Sequence, residues 1–305
     1  MINYVLQLYN LYVSKSIPIK VIEKALIEYK LNNNILDNNN MDYYLAGLLE
    51  GDGHISLPGL GKTTLNRILN PRIVFTSHIN NLGMYAYIQS ELGNIGRFQF
   101  SGKNVIRYII GDKKGIILFI NLIHSKLRTP KNNRFNDLII FLNFKYKLDL
   151  KESLLDNSSF INNRWFAGFT EADGHFGIKH IDSKPKSDTR KRSVSENISL
   201  KFRLDQRMYD KSTSSSMKPF MEKLALFLSC NLKNYTNNTG SDMLSLGVSS
   251  KETIGFLVNY FNEYPLLGDK LNDFKKWEIV YNMILSKEHL TYEGRLKIKS
   301  LIGKI

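Results

Sequence analysis

The chain has 305 residues, with 42 Lys and Arg against 28 Asp and Glu and a formal net charge of +14. A hydrophobic content of 43% is enough for a core and excludes wholesale disorder. No run of eighteen apolar residues offers a transmembrane helix, and the single cysteine, Cys230, excludes a disulfide framework and a Cys-rich zinc site.

The first ten residues have neither the charged-then-apolar pattern of a secretory signal nor the arginines of an import peptide. A basic excess together with 11% aromatic residues points to a polyanionic partner. That excess is spread rather than tailed: residues 1–40 carry +1, 41–150 carry +7 and 151–305 carry +6. Two comparable basic stretches suggest two comparable surfaces.

In chain order, residues 1–40 form an extension with an amphipathic helix over Pro18–Leu31, Asn-rich sequence behind it and no motif. A first repeat is expected over 41–148. It opens with Leu45-Ala-Gly-Leu-Leu-Glu-Gly-Asp-Gly-His54 and continues with extended segments at Gly53–Leu57 and Arg72–His78. A helix over Leu82–Leu92, strands Gly96–Ser101 and Val105–Ile110, and helices near Lys113–Leu127 and Asn132–Leu148 complete it. A polar linker is expected over 149–162.

The opening motif then recurs at an offset of 121 as Phe166-Ala-Gly-Phe-Thr-Glu-Ala-Asp-Gly-His175, with six of ten positions identical. The second repeat, 163–305, has strands His175–Ile181 and Asn197–Arg207, a helix near Ser216–Leu228, strands Leu232–Asn237 and Met243–Ser249, and helices Lys251–Phe261 and Asp269–Leu285. Its basic segment Ser183–Ser195 reads as a solvated loop. Strand pairs this close in sequence leave no room for crossovers, so the class is α+β with antiparallel sheets and two αββαββα repeats.

A glycine inside a helix costs about 1 kcal/mol relative to alanine. The cost is understandable where another backbone must come close. Gly47 and Gly51 share one ridge, as do Gly168 and Ala172, and Ala46 and Ala167 add small neighbours. Two motif helices packed on each other about a pseudo-twofold axis account for both copies. Gly53 and Gly174 stand where a left-handed C′ residue belongs, which puts Asp52 and Asp173 at helix C-termini. A carboxylate there opposes the helix dipole, and a bound divalent cation removes the conflict. Two acids, a basic chain and phosphate suit metal-assisted phosphodiester hydrolysis.

Residues 45–53 and 166–174 resemble the two copies of the LAGLIDADG motif of homing endonucleases, and the resemblance extends over residues 41 to about 300. It implies a single-chain, pseudo-symmetric DNA endonuclease with saddle-shaped antiparallel sheets and the motif helices packed at the interface. It also implies Asp52 and Asp173 as the metal-binding and catalytic acids, with Gly51 and Ala172 beside them in the metal sites, while Glu50 and Glu171 match the family's non-catalytic acid. Phe166 and Thr170 depart from the aliphatic pattern in packing positions. Family members place a cation near each scissile phosphate. Tyr264-Pro-Leu-Leu-Gly-Asp-Lys-Leu-Asn-Asp-Phe274 nominates Lys270, and Thr129-Pro-Lys-Asn-Asn-Arg-Phe-Asn-Asp-Leu138 nominates Arg134, with Lys131 next.

For the DNA face, Ser199–Arg207 alternates Leu200, Phe202 and Leu204 with Lys201, Arg203, Asp205 and Arg207. In a major groove such Arg and Lys side chains read guanine, and an Asp accepts from cytosine. Arg72, Thr76 and His78 share a face of the first repeat, Arg97 and Gln99 alternate with phenylalanines, and Arg107, Lys179, Lys233 and Tyr235 are further candidates. His54 and His175 read as starts of DNA-facing strands. Pro58-Gly-Leu-Gly-Lys-Thr-Thr64 imitates a phosphate loop, but Ser56 stands where the pattern needs glycine, which leaves Lys62 as a backbone contact.

The expected protein is therefore a monomeric, Mg²⁺-dependent homing endonuclease that cuts a long non-palindromic duplex and leaves 3′ overhangs; Mn²⁺ or Ca²⁺ would fill the same sites. The runner-up is an intron maturase that binds intron RNA. The 31 asparagines suggest an AT-rich, organellar, intron-borne gene and a mitochondrial location.

Overall fold

In the computed structural model the described residues are 20–25, 40–59, 69–102, 104–186, 189 and 191–303. The expected helix over Pro18–Leu31 is visible as a helical segment over 20–25, and its remainder lies outside the described residues, as does Lys62. The chain divides into two compact units, one holding Met1–Asp173, Tyr209–Phe220 and Pro265–Asp269, the other Gly174–Met208, Met221–Tyr264 and Lys270–Ile305.

The first unit contains α1 (Met41–Gly51), β1 (Gly53–Ser56), β2 (Arg72–His78), α2 (Leu82–Glu91), β3 (Arg97–Ser101), β4 (Val105–Ile110), α3 (Lys113–Ile123), α4 (Lys131–Tyr146) and α5 (Trp165–Asp173). Its antiparallel sheet has the order β1-β2-β4-β3. The inward face of that sheet carries Ile73, Phe75, Ile106 and Tyr108, and Phe75 packs against Tyr85, Tyr108 and Phe119 with ring centroids near 6 Å.

The second unit contains β5 (Gly174–Ile181), β6 (Asn197–Arg207), α6 (Lys218–Phe227, begun in the first unit), β7 (Lys233–Thr236), β8 (Asp242–Val248), α7 (Lys251–Glu263), α8 (Lys270–Leu285) and α9 (Tyr292–Leu301). Its sheet, β5-β6-β8-β7, repeats the topology of the first. Phe176 is the hub of its core, with Phe202, Phe261, Phe274 and Trp277 each about 5.5 Å away. The basic segment 183–195 is pinned by two backbone hydrogen bonds between Lys184 and Val194. Helix α9 is an addition to the expected elements.

Both motif helices lie in the first unit and pack backbone to backbone. A Cβ on Gly47 would stand 2.1 Å from the Trp165 carbonyl oxygen, and one on Gly168 would stand 2.0 Å from the Tyr44 carbonyl oxygen. Trp165 follows Tyr44 by the same 121 residues that separate the glycines, so the two contacts are reciprocal. Near the helix ends, a Cβ on Gly51 would lie 2.2 Å from the Ala172 Cβ. The seam leaves no room for anything larger.

The helix ends differ from expectation. Gly53 and Gly174 are not left-handed caps; each opens a strand directly behind its helix. Gly53 is needed for closeness instead, because a Cβ there would lie 2.5 Å from Leu49 Cδ1 and 2.6 Å from Leu49 O. Asp52 is itself the C-cap of α1, and Asp173 is the last residue of α5.

Gly168→Ala drives a methyl into the Tyr44 backbone and is expected to cost about 3 kcal/mol or more in chemical denaturation. Gly93→Ala, at φ +72° but facing open space, costs about 1 kcal/mol.

Candidate active site and nucleic-acid interface

The acids that precede the helix ends are fasteners. Glu50 accepts the backbone N–H groups of Arg128 and Thr129 and the indole N–H of Trp165, the last at 2.7 Å. Glu171 repeats the pattern, taking the N–H groups of Leu267 and Gly268 at 3.0 and 3.1 Å and the Tyr44 hydroxyl at 3.2 Å. Each glutamate thus ties its own helix to a loop leading into a later helix, and to an aromatic residue on the opposite motif helix. Burial raises the pKa of Glu50, and the donated hydrogen bonds oppose the rise.

Asp52 and Asp173 end the two packed helices. The Asp173 Oδ2 lies 3.0 Å from where a Cβ of Gly51 would stand, so this carboxylate reaches the last turn of α1. Beside them is Lys131. Its ammonium donates to the carbonyls of Leu49, Glu50 and Gly53 at 2.9, 2.7 and 2.8 Å, with Gly51 O at 3.5 Å. A cation on the last carbonyls of a helix offsets the dipole that disfavours Asp52. Burial lowers the Lys131 pKa, while Glu50, Asp210, Asp173 and Asp52 raise it. Arg134 lies further along α4, with Nε on the Ile55 carbonyl at 3.3 Å and Nη1 on Asp137. Lys270 is the first residue of α8, two residues beyond the Gly268 amide that holds Glu171.

The donor set at the helix ends is two carboxylates with backbone carbonyls, all oxygen. That suits a hard divalent cation completed by phosphate and water. Among the described residues, one trio of ligand-type side chains converges, His180, Asp182 and Glu196, in the second unit. Its carboxylates are already paired, Glu196 with Arg295 and Asp182 with Lys299.

The two sheets present polar rows on their outward faces. In the first, Thr76, Arg107 and Gln99 lie side by side across β2, β4 and β3. Arg72 pairs with Ser56, Arg97 pairs with Ile109, and the imidazole of His78 accepts the Asn80 amide at 3.3 Å. In the second, His175, Arg203 and Gly247 form one row and Asp205, Ser245 and Lys233 another. Arg207 and Tyr235 flank Met243, Lys179 pairs with Ser199, and Lys201 passes over Gly247. Asp205 is engaged: Arg203 Nε binds its oxygens at 2.8 and 3.0 Å, and the guanidinium lies 5.5 Å from the Tyr235 ring. Asp205 thus holds the Arg203 guanidinium on its own strand.

The sequence model described as LAGLIDADG endonuclease matches residues 45–142 and 166–281, more than half of the chain. The chain belongs to the LAGLIDADG endonuclease family.

An uncharacterised cox1 intron-2 protein of Schizosaccharomyces pombe is 28% identical over 268 residues, covering 86% of this chain and 72% of that protein. The intron-encoded DNA endonuclease aI3 of Saccharomyces cerevisiae is also 28% identical, covering 83% of this chain and 66% of its own length. The intron-encoded RNA maturase bI4 of the same yeast is 30% identical over 173 residues, covering 56% of this chain and 23% of the maturase. In fold, the homing endonuclease I-GzeII in complex with its DNA target has a TM-score of 0.63 at 20% identity, with 85% and 96% of the two chains covered. I-SmaMI bound to cleaved DNA has a TM-score of 0.65 at 20% identity, with 88% and 98% covered.

One feature of this LAGLIDADG protein has no signal in the sequence pattern. Arg128 is buried and paired with Asp156 at 2.6 Å, and its guanidinium covers Phe160 at 4.4 Å. The segment 149–162 is accordingly strapped down, with the Asp156 amide on Leu127 O and Ser153 bonded to Asn132, Asn136 and Ser125. Lys131, the candidate next to Arg134 in the sequence, matches Lys270 by spacing: Leu127, Lys131 and Phe135 are spaced as Leu266, Lys270 and Phe274.

Glu50→Ala strands two amides and an indole N–H and is expected to cost about 3 kcal/mol or more. A raised folded-state pKa makes the carboxyl's contribution largest below its unfolded value and diminishing as pH rises through the folded one. The stability gap between wild type and Glu50→Gln therefore shrinks with rising pH, as read by denaturant titrations across pH 4–9.

Proposed function

We propose that this chain is a site-specific, metal-dependent endonuclease that breaks both strands of a long, non-palindromic DNA duplex, one strand at each motif acid. The observation that carries the reading is the pair of helices locked backbone to backbone, each ending in an aspartate, with the Lys131 ammonium on the end of α1. Asp52 and Asp173 would hold the cations, with Gly51 and Ala172 alongside; Mg²⁺ suits the all-oxygen donors, and Mn²⁺ or Ca²⁺ would occupy the same places. Such a cation lowers the pKa of a bound water and offsets charge developing on the phosphate.

The protein's own residues do the rest. The seam fixes where the two carboxylates stand, and Lys131 keeps positive charge at the first helix end. Lys270 is the counterpart by spacing, and Arg134 remains a candidate outer contact. The rows around Arg107 and Arg203 would enter major grooves, with Arg72, Arg97, Lys179, Lys201, Arg207 and Lys233 adding contacts to bases and phosphates. The unlike residues of the two sheets suit a target without palindromy. A monomer is sufficient, since one chain carries both motifs. The fungal intron-encoded relatives and the asparagine-rich composition support a mitochondrial origin.

A second reading is an intron maturase, favoured by the similarity to bI4; it requires binding of intron RNA that survives loss of both acids.

With Mg²⁺ and an intronless copy of the host locus, Asp52→Asn and Asp173→Asn are each expected to slow one strand's cleavage by roughly a thousandfold, and the double variant to bind without cutting. End-mapping of separately labelled strands reads this out. Duplex binding should weaken steeply between 50 and 200 mM salt.

A further inference from the structure

The N-terminal extension lies outside the residues matched by the family model, yet its helical segment 20–25 is built into the first unit, with Ile22 6% and Ala25 1% exposed. Between them in the sequence, the Lys24 ammonium meets Asp269 Oδ1 at 2.5 Å. The other carboxylate oxygen of Asp269 accepts from Asn80 Nδ2 at 3.1 Å, and the Asp269 amide donates to Asn81 Oδ1 at 2.8 Å. Asn81 is fixed in turn through Ser77 Oγ at 2.6 Å. Asp269 therefore closes a loop, Pro265–Asp269, held from the extension on one side and from the exit of β2 on the other.

The same loop supplies the Leu267 and Gly268 amides to Glu171, and it lies flat on that side chain: a Cβ on Gly268 would come within 2.6 Å of Glu171 Oε1. Glu171 stands two residues before Asp173 on the last turn of α5. A chain of short contacts thus runs from Lys24 through Asp269 and Glu171 to the helix end that carries Asp173. Among the described residues, the first repeat has no such arrangement. The loop that holds Glu50 has Pro130 where the second has Asp269, with neither a carboxylate nor an N–H to offer, and it is clamped by Arg128 and Asp156 instead.

We propose that Lys24, through Asp269, is a positioning residue for the Asp173 site, so that the N-terminal extension governs cleavage of one strand and leaves the other alone. The proposal rests on the endonuclease reading for its strand assignment. An ion pair of this half-exposed kind has a modest effect, so the expected change is about fivefold.

The test is Lys24→Met in the full chain, with the intronless host locus labelled separately on each strand, at saturating enzyme and with Mg²⁺. The strand lost in Asp173→Asn should be cut about fivefold more slowly, the strand lost in Asp52→Asn should keep its rate, nicked duplex should accumulate, and the dissociation constant should not move. Lys24→Arg should restore the balance. Hydrogen exchange, which needs no cleavage, should speed up at the Leu267 and Gly268 amides and stay unchanged at Arg128 and Thr129. Equal slowing of both strands, or unchanged strand rates, would overturn the proposal, as would unchanged exchange at Leu267 and Gly268. If the wild type cuts neither strand, the endonuclease reading fails, and the exchange result still decides whether the brace exists.

Discussion

The structure depends on the contact of two glycines with two carbonyls. Gly47 against the Trp165 backbone and Gly168 against the Tyr44 backbone bring the motif helices closer than any side chain allows. Once the backbones touch, the remaining positions follow. The aromatic side chains of Tyr44 and Trp165, displaced from the seam by the closeness of their own backbones, reach the glutamate of the opposite helix. The helix ends then lie close enough for the Asp173 carboxylate to meet the last turn of α1. Packing geometry and charge placement are one arrangement.

Charge at the helix ends is balanced by design of the chain rather than left to solvent. An aspartate at a helix C-terminus is unfavourable, and a second nearby makes it worse. Lys131 answers part of this by placing an ammonium on three carbonyls of the α1 end. The two buried glutamates are neutralised differently, by backbone amides of loops that open toward Lys131 and Lys270. A single loop geometry, written once per repeat, both holds a glutamate and delivers a lysine. That economy explains why the motif and the lysine-bearing stretch recur together although about 80 residues of the first repeat and about 97 of the second separate them.

Much of this was legible because it depends on local pattern. Strands Arg72–His78, Val105–Ile110 and Asn197–Arg207 fall where alternation places them, and the small-residue ridge announces the seam. What escaped depends on distant partners. The glycine after each aspartate has the position of a left-handed cap but opens a strand instead, and the role of Gly53 is set by a close approach to Leu49 that no spacing reveals. Arg128 and Asp156 read as ordinary polar residues until the fold buries them together. The motifs align at an offset of 121, whereas Lys131 and Lys270 align at 139, after insertions in the second repeat, so the offset of the motifs does not by itself pair the two lysines. Asp205 has the alternation of a base-reading residue, but Arg203 on its own strand pairs with it and in turn lies over the Tyr235 ring of β7.

In the proposed function, the seam of motif helices holds divalent cations at its two acid-bearing ends. The most direct measurement is a crystal structure of the chain on its target duplex with Mn²⁺, read by anomalous scattering. Peaks are expected within coordination distance of Asp52 and Asp173, each also touching a phosphate oxygen. Scattering confined to the His180, Asp182 and Glu196 trio, or a phosphate backbone remote from both aspartates, would contradict that placement.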